Sequence, residues 1–374
     1  MISCGEASGD LYAGALTRAL QTQGPVDVFG FGGDQLRAAG ATLTGDFRGF
    51  SVTGITEALS VVRRSWAMLG TLTAAARDQR PDVFVAIDFP DFNFRLLPRI
   101  KALGIPVVYY ISPQLWAWRA GRMKTLQKHV DHMLVIFPFE EAIYRNAGIP
   151  VTFVGHPLID LALPRRGRDE TCRAAGLDPS KPLVALLPGS RTNELHLLTP
   201  VLVEAARQLV RKMPGVQFLV ARAPSLDDAL FTTLDRLRGE GVAIGMLPDA
   251  ADDVLAAADV VITASGTATV QTALHGKPMV IVYRVSSLTY AIGRRIVKLP
   301  HYGMVNLVAG RQIVTELIQE ACTPERVSEE TFALLTDHAR AATMREDLAE
   351  VVRRLGGAGA SQRAARAVLE TARG

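Results

Sequence analysis

Short apolar, β-rich runs alternate with segments of helical periodicity, and the series occurs twice. The first set is Val26 to Phe31, Val83 to Asp88, Val107 to Ser112, Met133 to Phe137 and Val151 to Val154. The second is Leu183 to Leu187, Val216 to Ala221, Val242 to Gly245, Val260 to Ala264 and Met279 to Tyr283. Such a rhythm predicts mostly parallel sheets covered by helices, hence two similar α/β halves. The break falls near Asp160, after the Gly155-His156-Pro157 turn and before the polar stretch Pro164 to Asp169. Expected domains are therefore 1–160, 161–323 and an all-helical tail, 324–374. A length of 374 residues suits two to three domains.

Composition narrows the function classes. Hydrophobic residues at 48% and charged residues at 21% exclude a disordered or coiled-coil chain. The three cysteines, Cys4, Cys172 and Cys322, have no metal-ligand spacing, which points to a reducing cytoplasm without zinc or disulfides. No run of about 18 apolar residues exists to span a membrane. The pI is near 9.0. The net charge is only +4, from 41 basic and 37 acidic residues without a basic stripe, so nucleic acid is not an expected partner. A local site for phosphate or anionic lipid stays open.

Ligands of open parallel sheets sit at the carboxyl ends of the strands, and a large substrate would use a cleft between two such halves. In the first half, Gly5-Glu6-Ala7-Ser8-Gly9-Asp10 precedes a helical pattern. Its small residues suit an anion at a helix N-terminus, or else Ser8 or Asp10 caps the helix. Asp88 ends an apolar strand, where partial burial makes a carboxylate a usable general base; a structural turn former is the alternative. Asp91, after Pro90, reads as a helix N-cap. The run Trp116-Ala117-Trp118-Arg119-Ala120-Gly121-Arg122 could line a sugar face and a phosphate, or pack Trp116 inward.

In the second half, Pro188-Gly189-Ser190-Arg191, leading to Glu194, and Ser265-Gly266-Thr267 are strand–turn–helix junctions. They would offer backbone N–H groups, hydroxyls and Arg191 to a diphosphate, or simply make tight connections. There is no dinucleotide-binding fingerprint, P-loop or HExxH motif. His156 suits either a ligand or a structural turn. Between Phe50 and Ala76, Ile55, Leu59, Val62, Trp66, Leu69 and Leu72 recur at helical spacing beside Arg63 and Arg64. They read as core or as a patch for acyl chains and an anionic bilayer.

The chain resembles the lipid A disaccharide synthases, bacterial glycosyltransferases of lipopolysaccharide assembly. The resemblance runs nearly end to end through GEASGD at Gly5 to Asp10, DFPDFN at Asp88 to Asn93, YYISPQLWAWR at Tyr109 to Arg119, and FVGHP at Phe153 to Pro157. It continues through LLPGSR with Glu194, SGTAT at Ser265 to Thr269, and NLVAGR at Asn306 to Arg311. It implies a glycosyltransferase B fold, two Rossmann-like halves facing across a cleft. The implied reaction takes UDP-2,3-diacylglucosamine and 2,3-diacylglucosamine 1-phosphate to a β-1,6-linked disaccharide 1-phosphate and UDP, with inversion and without metal or other cofactor.

By the same resemblance Asp88 is the base, and Ser8, Gly9, Asp10, Trp118, Arg119 and Arg122 belong to the acceptor side. Gly189, Ser190, Arg191, Glu194, Ser265, Gly266, Thr267, Gln271, Asn306 and Arg311 belong to the donor. The patch Ile55, Leu59, Val62, Trp66 and Leu69 would meet acyl chains at the inner-membrane surface, giving a cytoplasmic, peripherally bound enzyme; a homodimer is also consistent. The tail is expected to pack back on the first half. Two positions depart from the family pattern: Gln271, where an acidic residue is usual, and Val305, where proline usually precedes the asparagine. UDP-N-acetylglucosamine 2-epimerases share this fold and nucleotide, so an isomerase is the alternative class, and binding without catalysis a third.

Overall fold

The computed structural model describes the chain apart from residues 49–54, 114, 116–119, 224–225, 287–289 and 291–299, and apart from the side chains of 55–61 and 120. Two compact units result, Met1–Asp160 with Leu355–Gly374, and Leu161–Arg354.

In the first unit seven strands form one sheet: β1 (Ile2–Cys4), β2 (Phe29–Gly32), β3 (Thr42–Asp46), β4 (Phe84–Ile87), β5 (Val107–Tyr110), β6 (His132–Val135) and β7 (Val151–Phe153). Their order is β3-β2-β1-β4-β5-β6-β7, with every neighbouring pair parallel. Central strands such as β4 (FVAI) and β5 (VVYY) are buried throughout, as helices on both faces require of a parallel sheet. Around them run α1 (Glu6–Gln21), α2 (Asp34–Ala38), α3 (Ile55–Gln79) and α4 (Pro90–Lys101). Leu69, Leu72 and Ala76 of α3 join Phe31, Phe92, Leu96 and Tyr109 in one buried cluster.

The second unit repeats the pattern with β8 (Leu183–Leu187), β9 (Gln217–Arg222), β10 (Ile244–Pro248), β11 (Val260–Ala264), β12 (Met279–Tyr283) and β13 (Thr315–Ile318), ordered β10-β9-β8-β11-β12-β13 and again parallel. Both orders reverse beside the first strand, as in doubly wound nucleotide-binding folds.

The helical tail divides, which corrects the expectation that all of it returns to the first half. Pro324–Thr336 packs on the helix Thr192–Lys212, and His338–Arg354 packs on the helices Thr267–Leu274 and Met304–Ala309. The end of the tail, Leu355–Gly374, belongs to the first unit, where Ala360–Arg373 packs against α1. The Asp160 carboxylate accepts the Gly359 N–H at 2.8 Å, and the Arg363 guanidinium donates to the Val154 carbonyl at 2.8 Å. A buried Ala face at 364, 365 and 367 lets this helix sit close.

Candidate active site

Because all strands of the first sheet are parallel, the segments after β1, β4 and β5 emerge on one edge, and the order reverses between β1 and β4. Non-glycine residues with positive φ cluster there: Glu6 (61°), Asp88 (43°), Phe89 (50°) and Ile111 (63°). Left-handed backbone at such residues costs on the order of 1–3 kcal/mol each and survives only where neighbours enforce it.

At Asp88 the enforcing contacts are explicit. Its N–H donates to the Tyr110 carbonyl at 3.2 Å, and its carbonyl accepts the Tyr109 hydroxyl at 2.8 Å and the Asn93 amide at 2.7 Å. Asn93 is held in turn by the Ser3 hydroxyl at 2.7 Å, both side chains fully buried. The Phe89 ring stacks with Phe92 and Phe31, at centroid distances of 5.3 and 6.2 Å. It fills the space a side chain at Gly5 would need, since a Cβ there would lie 2.4 Å from the ring. Asp88 is left half-buried at the switch point. Burial pushes the phenols of Tyr12 and Tyr109 up, and the nearby Asp88 carboxylate adds to both shifts.

Other residues expected on this side take more specific roles. Helix α1 begins at Glu6 behind Gly5, so neither Ser8 nor Asp10 caps it; Ser8 is half-buried and Gly9 buried in its first turns. Asp10 is corrected from substrate contact to scaffold. Its buried carboxylate accepts the N–H groups of Gly33 (2.8 Å), Gln35 (2.8 Å) and Leu36 (3.1 Å), satisfying the start of α2. Asp91 is not a cap either: α4 starts at Pro90 behind Phe89, and Asp91 pairs with Arg122 at 2.8 Å. The Arg122 guanidinium also lies 5.0 Å over the Phe94 ring, so it ties the segment after β5 to α4. Trp116, Trp118 and Arg119 lie outside the described residues. The start of that segment is anchored where Ser112 donates to the buried Glu140 at 2.5 Å and Tyr144 to the Pro113 carbonyl at 3.1 Å. His156 is structural: its ring meets Tyr12 and Phe137 edge-on, its Nδ1 accepts the Leu158 N–H at 3.2 Å, and burial holds it neutral, with the pKa down at about 3.

In the second unit the turn after β8 is closed by Glu194, whose carboxylate accepts the N–H groups of Ser190 (3.0 Å) and Arg191 (3.3 Å). Gly189 has φ 119°, and a Cβ there would sit 2.3 Å from the Glu194 Oε2. Glu194 thus closes this turn, and its carboxylate holds the two N–H groups that the sequence offers to a diphosphate. The Arg191 side chain stays 60% exposed. After β11, Gly266 has φ 139° and Thr267 opens the next helix, exposed. The Ser265 hydroxyl donates to the Tyr302 carbonyl at 2.9 Å. Gln271 donates to Asp252 Oδ1 at 2.7 Å, an oxygen shared with His275 Nε2 at 2.9 Å. The Gln271 amide is thus engaged by a neighbouring carboxylate.

Arg311 does not join the turns at the carboxyl edge, whereas Asn306 is linked to Ser265 through the Glu316 carboxylate and the Tyr302 backbone. Asn306 is fully buried; its oxygen accepts the N–H groups of Ile313 (2.8 Å) and Val314 (3.0 Å), and its amide donates to the Val314 carbonyl (2.9 Å) and to Glu316 (2.7 Å). Arg311 precedes β13, at the opposite edge of the sheet from Ser190 and Ser265, and pairs with Asp347. Both residues hold the entry to β13 through bonds that no spacing rule foretells.

The apolar patch splits. Leu69 is fully buried, which corrects its assignment to a lipid-facing surface, whereas Val62 and Trp66 are 52% and 54% exposed. Arg99 sits 5.6 Å over the Trp66 ring. Ile55 and Leu59 have side chains outside the described set. Among the described residues no helix is long and apolar enough to cross a membrane.

Two Rossmann-like units with these strand orders make this a protein of the glycosyltransferase B fold. Solved structures share it: CalG4, the calicheamicin glycosyltransferase, has a TM-score of 0.60 at 16% identity over 99% of this chain and 97% of that one. A UDP-GlcNAc 2-epimerase from Neisseria meningitidis bound to UDP-GlcNAc has a TM-score of 0.70 at 12% identity, covering 99% of each chain. At such identities the likeness is of fold alone. The model of the family described as Lipid-A-disaccharide synthetase matches residues 1–371. The lipid-A-disaccharide synthases of Geobacter sulfurreducens and Myxococcus xanthus are each 43% identical over 371 residues, 99% of this chain and 96% of theirs. The chain belongs to the Lipid-A-disaccharide synthetase family, a glycosyltransferase whose function is lipid A disaccharide synthesis; the epimerases are fold relatives only.

Proposed function

We propose that the transfer is a single inverting displacement in which Asp88 is the general base. The acceptor, 2,3-diacylglucosamine 1-phosphate, presents its 6-hydroxyl to the anomeric carbon of UDP-2,3-diacylglucosamine. As the new O–C bond forms, the hydroxyl proton passes to the Asp88 carboxylate and the bond from the anomeric carbon to the diphosphate breaks, releasing UDP. The carrying observation is a half-buried carboxylate at the switch point whose strained backbone is fixed by Tyr109 and Asn93. Ser8 and Gly9 belong to the acceptor side of this reading, and Arg122 supports it through Asp91. On the donor side the Ser265-Gly266-Thr267 turn and the exposed Arg191 would meet the diphosphate and stabilise the charge it gains on leaving. Displacing Glu194 would free the Ser190 and Arg191 N–H groups for the same charge.

Both substrates carry acyl chains, and sheltering them contributes about 0.8 kcal/mol per buried CH₂. The exposed Val62 and Trp66, beside the exposed Arg63 and Arg64, favour contact with an anionic inner-membrane surface from the cytoplasmic side. The test is UDP release measured with each diacyl sugar alone and with both together. Release that requires both supports the reading; isomerisation of the UDP-sugar without acceptor refutes it.

A further inference from the structure

A hydrogen-bonded chain runs inward from the proposed donor turn. The Ser265 hydroxyl donates to the Tyr302 carbonyl at 2.9 Å. The N–H groups of Tyr302 and Gly303 both donate to the Glu316 carboxylate, each at 2.9 Å. The same carboxylate accepts the buried Asn306 amide at 2.7 Å, and Asn306 is fixed to the backbone of Ile313 and Val314. Glu316 itself is rooted in β13, where it pairs in register with Ile281 of β12. A Cβ on Gly303 would lie 2.4 Å from Ile281 Cδ1 and 3.1 Å from Glu316 Oε1, so the Tyr302–Gly303 backbone is clamped between sheet and carboxylate.

We propose that Glu316 is a positioning residue for the donor: by holding the Tyr302–Gly303 backbone it sets the carbonyl that orients Ser265. The inference rests on the reading of Ser265 as a donor-side residue. A carboxylate suits the task because it accepts three N–H bonds on two oxygens and offers no proton of its own, whereas a carboxamide would turn an NH₂ group toward at least one of those donors.

The test measures KM for donor and acceptor, and kcat, in Glu316→Gln, Ser265→Ala and the double variant, with thermal melting to verify folding. Glu316→Gln is expected to raise the donor KM about tenfold, the cost of charge-assisted bonds lost, with the acceptor KM unchanged. Ser265→Ala should raise the donor KM as well, and the double variant should be no worse than the poorer single one, since both act on one contact. Should Glu316→Gln fail to fold, Glu316→Asp keeps the charge at shorter reach and is expected to raise only the donor KM, by a smaller factor. Multiplicative effects in the double variant, or equal rises in both KM values, overturn the inference, as does an unchanged donor KM in a folded Glu316 variant. If Ser265→Ala leaves the donor KM unaltered, it is the donor-side reading of Ser265 that fails, and the inference falls with it.

Discussion

The Tyr109 hydroxyl donates to the Asp88 carbonyl at 2.8 Å, and this contact links the floor of the sheet to the residue proposed as base. Tyr109 is fully buried, and the carbonyl's second partner is Asn93. Removing one neutral hydrogen bond costs about 1 kcal/mol. Tyr109→Phe should therefore keep the fold while lowering kcat by roughly fivefold, as Asp88 relaxes from φ 43°. Asn93→Ala should cost more, because it leaves the Asp88 carbonyl short of a partner and the Ser3 hydroxyl stranded. Steady-state kinetics beside thermal melts would separate the two effects.

The split of the apolar helix predicts two different responses. Leu69→Ala opens a cavity in the first unit's core and should destabilise it by roughly 2–5 kcal/mol, read as a lower denaturant midpoint. Val62→Ser with Trp66→Ser removes exposed side chains, so it should leave that midpoint nearly unchanged and reduce cosedimentation with anionic liposomes. Unchanged liposome binding in the paired variant would count against membrane contact through this face.

Gly189→Ala should raise the donor KM at least several-fold. Its φ of 119° is foreign to side-chain-bearing residues, and the new Cβ would push on the Glu194 carboxylate that closes the turn. Thr267→Ala, an exposed change in the neighbouring turn, should leave melting untouched and is the control for stability.

Acid sensitivity follows from His156. Burial lowers its pKa from 6.5 to about 3 in the folded protein, so between these values the unfolded chain binds the extra proton. Stability from this group is present above pH 6.5 and is lost as pH falls toward 3, by up to roughly 1.4 kcal/mol per pH unit. His156→Gln should flatten the pH dependence of unfolding across that window, and an unchanged slope would refute the assignment.

The sequence made the central strands legible because each is buried on both faces and reads as an unbroken apolar run, as in Leu183–Leu187 and Val260–Ala264. Strands β3 (TLTGD) and β13 (TELI) escaped because sheet-edge positions tolerate polar residues and leave no apolar run to detect. The α3 stripe was visible as a helix, yet periodicity alone did not tell Leu69 from Trp66, since the tertiary packing decides which side of a broad stripe meets the core. Asp88 stood out by its place at a strand end. Asp10, Asn306 and Glu316 did not declare their roles, because each bonds backbone groups that the fold, and not local spacing, brings within reach.

The most direct test is UDP release by Asp88→Asn with both diacyl sugars supplied, paired with UDP binding by calorimetry. Losing a general base should lower kcat by roughly 10²–10⁴-fold while the Kd for UDP stays within about twofold of the parent. Near-normal turnover in Asp88→Asn would contradict the proposed mechanism.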